Sequence, residues 1–278
     1  MTNLKYSPAN TKLKQLHQVN RLAAWLQPKH SIRRRVFSLD LLSGWSCPFA
    51  KDCFSKVIMD NGRRQIQDGP DNQFRCFSAS QEARLTGVYL KRKHNFDLLR
   101  QAKTANKMFS LLNKSFPHSC GVLRFHVGGD IFNRHYLEAI IRLADLHPDR
   151  LFYAYTKSLQ FWVDRIDDIN SLDNLVLTAS RGGKQDHLID SEGLRESVVV
   201  FNELEAKDMG LEIDHDDSHA AIPELRNESF ALLIHGTQPK GSQAGKAVRA
   251  LDGLGSYGKK LAATNSVSYT HLRAHETV

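Results

Sequence analysis

The sequence predicts one α/β domain, a partial (βα)6 barrel with an N-terminal helix. Three observations carry that expectation. Six apolar runs of strand length alternate with helical stretches, the pattern of parallel strands joined by crossover helices. Two of the runs carry polar residues on one face only, where a sheet covered by helices on both sides would be apolar throughout. The length of 278 residues and a hydrophobic share of 41% suit a single barrel-sized domain.

The elements follow in order. Residues 11–27, "TKLKQLHQVNRLAAWLQ", place apolar side chains at helical spacing, so an amphipathic helix is expected within an N-terminal extension over 1–30. Strands are expected at 36–42, 122–127, 151–157, 175–180, 197–201 and 230–235, within a barrel-like domain over 31–265. Helices are expected at 92–115, 134–146, 159–169 and 243–251, with a shorter one at 202–209. In "VLRFHV", Arg124 and His126 share one face against Leu123, Phe125 and Val127. In "LFYAYTK", Tyr153, Tyr155 and Lys157 oppose Phe152, Ala154 and Thr156. A polar face of this kind lines a cavity, which favours a barrel lumen over an open sheet; hydrogen-bonded core residues are the alternative.

The segment Val267–Thr277, "VSYTHLRAHET", looks like the reading-frame translation of a sequencing-library transposon adapter. Residues 266–278 are therefore expected to carry no function, and the chain reads as a metagenomic fragment. No run approaches the roughly 20 apolar residues that cross a bilayer, and the first residues lack the apolar core of a secretory signal, so a cytoplasmic protein is expected. A formal charge of +8 suits contact with a polyanion such as nucleic acid, and equally suits a solvated basic surface.

The candidate chemistry sits in loops after predicted strands, where α/β proteins build their sites. Cys47 and Cys53 follow the first strand in "SGWSCPFAKDCFS", and Cys76 follows in "QFRCFSAS". Cys120 precedes the second strand and is expected at the opposite end of the sheet. Three thiolates with one open coordination position suit an iron–sulfur cluster or a catalytic zinc; three small buried residues are the bland alternative. "HVGGDIF" offers Gly128 and Gly129 for close backbone approach to a ligand, with Asp130 as an acceptor. "SRGGKQD" could cradle a phosphate. Arg124, His126, Tyr153, Tyr155, Lys157 and His235 are candidates for lining a substrate side. His126, Asp130 and His135 offer ligands for a hydrolytic metal site, though at no recognised spacing.

"LDLLSGWSCPFAKDCFSK", "FRCFSASQEA", "LRFHVGGDIFNRHYLEAI" with "LFYAYTKS", and "HGTQPKGS" resemble the phage gene product 88 family, particularly its cyanophage-type members, over roughly Phe37 to Lys260. That resemblance implies a phage-encoded protein in an infected host cell. A more distant resemblance is to radical S-adenosylmethionine enzymes. It implies a [4Fe–4S] cluster on Cys47, Cys53 and Cys76 and an amine-contacting turn at Gly128, Gly129 and Asp130. The sequence departs from that superfamily's compact cysteine motif, because its gaps are five and twenty-two residues, and Asp130 stands in place of the commoner glutamate. The expected function is a radical-SAM-like enzyme of unknown substrate. The alternatives are a basic nucleic-acid-binding protein with a zinc-stabilised cysteine site and a metal-dependent phosphoesterase.

Overall fold

A computed structural model describes residues 3–251. Its main sheet has seven strands in the order β1 (Ser7–Pro8), β2 (Arg35–Leu39), β5 (Cys120–Phe125), β6 (Leu151–Thr156), β7 (Leu175–Ser180), β8 (Glu196–Val200) and β9 (Phe230–Leu233). Only β1 runs antiparallel to its neighbour; the pairs from β2 to β9 are parallel and follow chain order. The sheet is open, and its ends do not pair with one another. The expected tail over 266–278 lies outside the described residues.

The alternation read from the sequence sorts the two faces. Leu123, Phe125, Phe152, Ala154, Leu175 and Leu177 pack with the apolar sides of three helices, Thr86–Ala102, Ala105–Ser115 and Arg134–Leu146. The opposite face carries Val122, Tyr153 and Val176 and is covered by Leu13, Leu16 and Leu22, together with Ala220, Ala221 and Ile222. The N-terminal segment is thus part of the core. It is not the single helix expected over 11–27. Helical turns at Thr11–Lys14 and Ala23–Leu26 flank two 3-10 turns, and Val19 between them is extended at φ −83° and ψ 107°. A β-branched residue in a chain that must lay three leucines on a sheet interrupts the helix at low cost.

The helix expected over 92–115 is two helices, broken at Lys103, whose φ of 59° is left-handed; Thr104 caps the second. The segment over 159–169 also divides, into Leu159–Val163 and Ile166–Asn170. The sequence reading missed a β-hairpin, β3 (Ser55–Asp60) with β4 (Arg63–Asp68), although Asn61–Gly62 is the strongest two-residue hairpin signal. It also missed the Phe77–Arg84 helix.

Candidate functional site

The carboxyl ends of β5 to β9, and the loop that follows β2, meet at one cavity. Its lining includes Arg124, the Gly128–Asp130 turn, Tyr155 to Lys157, Ser180, Val199 and His235, and all three rim cysteines, Cys47, Cys53 and Cys76. Cys120 is the first residue of β5, fully buried at the far end, with its thiol against the Val122 carbonyl.

The hairpin explains the long gap between Cys53 and Cys76. At its base the amide of Gly69 donates to the Phe54 carbonyl, and those of Gln73 and Phe74 to the Asp52 carbonyl. Ser55 Oγ accepts from the Cys76 amide at 3.1 Å. The excursion therefore returns the chain to its starting point, and cysteines with 22 residues between them in sequence become neighbours on the rim. Cys76 then opens the Phe77–Arg84 helix, where the Ser78 and Ala79 amides favour its thiolate.

The glycine pair has a different physical reason from the one its sequence suggests. A Cβ on Gly128 would overlap Ser78 Oγ and come within 2.7 Å of Arg92 Cζ; one on Gly129 would lie 2.6 Å from Ser46 Oγ. Ser46 adjoins Cys47 and Ser78 closely follows Cys76, so the turn is bare in order to seat both cysteine segments against β5. A buried clamp completes the joint. Arg92 Nη1 donates to Ser78 Oγ at 2.5 Å and to Glu82 Oε1 at 3.0 Å, and Glu82 Oε1 accepts from the Ser43 amide and hydroxyl. Burial pushes the Glu82 carboxyl up in pKa, against the pull of Arg92.

Asp130 is withdrawn from water and accepts from Thr156 Oγ1 at 2.6 Å, the Ile131 amide at 2.7 Å and the Lys157 amide at 2.9 Å. Burial nevertheless raises its pKa to about 6. Since a carboxylate offers about four acceptor positions, one remains for a ligand. Lys157 Nζ is held by Ser180 and by the Arg181 carbonyl.

The "SRGGKQD" loop holds no phosphate cradle: the amides of Gly182 and Gly183 are both taken by the Asp186 carboxylate at 2.8 Å. The loop instead braces the cysteine loop, accepting the Lys51 and Asp52 amides on the Gly182 carbonyl. His126 does lie in the cavity lining, though not by strand alternation. Its left-handed φ of 66° ends the strand alternation, and its Nε2 lies 3.0 Å from the Tyr136 hydroxyl on the helix side. Burial lowers its pKa to about 3. His135 is exposed on its helix, so His126, Asp130 and His135 do not converge. Tyr153 is fully buried beneath the cavity and meets it only by donating to Asp217. Asp217 and Lys12, which the sequence reading missed, do line the cavity.

Among the described residues no three Cys, His, Asp or Glu side chains stand at the spacing that grips a metal ion. The donor set nevertheless fits a thiolate-bound metal in kind. Burial raises all three thiol pKa values, Cys76 to about 11, and neighbouring thiols raise those of Cys47 and Cys76 further. Such a trio stays protonated until a cation replaces its protons.

A family model described as gene product 88 matches residues 2–253. The chain belongs to the gene product 88 family. No curated protein and no solved structure matches it. The gene product 88 match spans every element that builds the cavity, from Asn10 to His235.

Proposed function

We propose that this member of the gene product 88 family is a radical-SAM-like enzyme, with Cys47, Cys53 and Cys76 as ligands of a [4Fe–4S] cluster and the Gly128–Asp130 turn beside them as the seat of S-adenosylmethionine. The carrying observation is that three cysteines from two separate segments line one cavity beside Gly-Gly-Asp, at the carboxyl ends of six parallel strands in chain order. On this reading those strands are an unclosed (βα)6 barrel whose amino end is plugged by Leu13, Leu16 and Leu22. A cluster held there, once charged by an external one-electron donor, would supply one-electron reduction of the sulfonium.

The chain's own residues would do the rest. Asp130 would accept from the methionyl ammonium on its remaining acceptor position. Burial raises the pKa of Cys53, and the Lys157 ammonium opposes part of that rise. Phe77 and His235, with ring centroids 4.6 Å apart, wall the opposite side.

Anaerobic reconstitution with iron and sulfide is expected to give about four iron and four sulfide per chain. It should also create S-adenosylmethionine binding that Asp130→Ala weakens. Stoichiometric zinc without acid-labile sulfide rejects the reading, as does a full cluster that binds no S-adenosylmethionine.

A further inference from the structure

On the cavity wall formed by β5 and β6, two cations share one carboxylate. Lys12 Nζ lies 2.8 Å from Asp217 Oδ1, and Arg124 Nη1 pairs with Asp217 Oδ2. The Arg124 guanidinium stands 4.9 Å over the Tyr155 ring. Asp214, next to His219, and Asp40 add their fields to Lys12 and Arg124 respectively, and among the described residues neither makes a direct ion pair with those cations. In direct contact, then, two cations meet one carboxylate, and the donors for a ligand are there. Among the described residues Lys12 has Asp217 as the acceptor for its three N–H groups, and Arg124 Nε is buried with no hydrogen-bond partner. Asp217 is held in the left-handed region at φ 69°, a conformation costly for a non-glycine residue and concentrated at functional sites. Against the desolvation that opposes it, Arg124 and Lys12 keep its carboxyl below the usual carboxylate range, so it stays an anion and orients both cations.

We infer that this wall is an oxyanion subsite, in which Lys12 and Arg124 hold the carboxylate or phosphate of an organic substrate while Asp217 and Tyr155 fix their positions. Arg124 presents a planar fork and Lys12 a point charge, the pair of donors that recognises a carboxylate or phosphate group. The subsite stands on these residues alone and does not require the cysteines to carry a cluster.

The test uses the chain without iron and inorganic phosphate as probe, replacing chloride at fixed ionic strength. Binding to the native state alone should raise the unfolding temperature and saturate. Lys12→Met keeps the Arg124–Asp217 pair and should weaken phosphate by about 10- to 100-fold, the value of one charged hydrogen bond. The exposed Lys114→Met should change nothing. A rise that never saturates, as salts excluded from the surface produce, or an equal affinity in Lys12→Met, overturns the subsite. Should Lys12→Met not fold, amine labelling of the wild-type chain decides: phosphate should slow labelling of Lys12 and not of Lys114, and equal labelling overturns the proposal. A final arm separates substrate from cofactor. In iron- and sulfide-loaded protein, Lys12→Met should leave S-adenosylmethionine affinity unchanged; a parallel loss would assign the subsite to the methionyl carboxylate and overturn the substrate reading.

Discussion

Cys120 is fully buried and Cys76 half-buried on the cavity rim; burial raises the pKa of each thiol, yet they sit in opposite kinds of surroundings. Around Cys120 the amino end of the sheet is filled: Leu13, Leu16 and Leu22 close one face and the long helices close the other. Around Cys76 the carboxyl end is a joint of polar groups, with Ser43, Ser78, Glu82 and Arg92 in contact and a cavity beside them. Apolar packing holds most of the first region, with the Arg34–Asp149 contact at its edge. Directed hydrogen bonds hold the second and leave room for a ligand. Exposure and surroundings both separate Cys120 from the three rim cysteines: it is fully buried among packed side chains, and they are half-buried beside the cavity.

The largest expected effect breaks the polar joint. Arg92→Met leaves Glu82 buried without its cation and should cost about 3–5 kcal/mol, read as a fall in the urea midpoint at constant slope. Removing both charges as Glu82→Gln with Arg92→Met should recover part of that loss. At the amino end the charged contact between Arg34 and Asp149 has a half-exposed carboxylate, and Arg34→Met should cost less.

A pair of glycines sharpens the contrast. Gly128→Ala overpacks the joint and Gly121→Ala overlaps the Trp25 carbonyl, so each should cost about 1–3 kcal/mol. Only Gly128→Ala should also lower iron loading, because only its neighbours carry the rim cysteines. Equal loading by the two variants would contradict the assignment of the glycine turn as the joint between the cysteine segments.

Titration gives a smaller effect. A thiol whose folded pKa is raised favours folding while protonated. The Cys76 contribution is therefore complete below its unfolded value of about 8.5 and fades as pH rises toward about 11. Cys76→Ala should flatten that part of the alkaline decline in stability of the iron-free chain. His126 has the opposite sign: with a folded pKa of about 3, its contribution is present above about 6.5 and is lost as pH falls. The smallest effect is expected of Tyr136→Phe, which removes the hydroxyl beside His126 and should cost about 0.5–1.5 kcal/mol without changing iron loading.

The same contrast explains what the sequence could reveal. Strand order and the faces of β5 and β6 were legible because alternation is local, and the Arg134–Leu146 helix because its apolar stripe is continuous. Cys47, Cys53 and Asp130 were legible as loop residues following strands. The hairpin was legible in Asn61–Gly62 and was missed. Lys12 with Asp217 was not legible, since the partners are 205 positions apart and meet only after the N-terminal segment folds across the sheet. His126 defeated the alternation rule because its left-handed backbone turns the ring to the helix side. The clamp of Glu82 and Arg92 lies on two successive helices whose angle no periodicity reports.

Iron stoichiometry across four single variants, each reconstituted anaerobically with iron and sulfide, tests the central claim most directly. The account predicts that Cys47→Ala, Cys53→Ala and Cys76→Ala each lose the cluster while Cys120→Ala keeps it at the wild-type level. Retention of the full cluster by any of the first three, or its loss from Cys120→Ala in a chain that is still folded, would contradict the claim that the carboxyl rim is the ligand site.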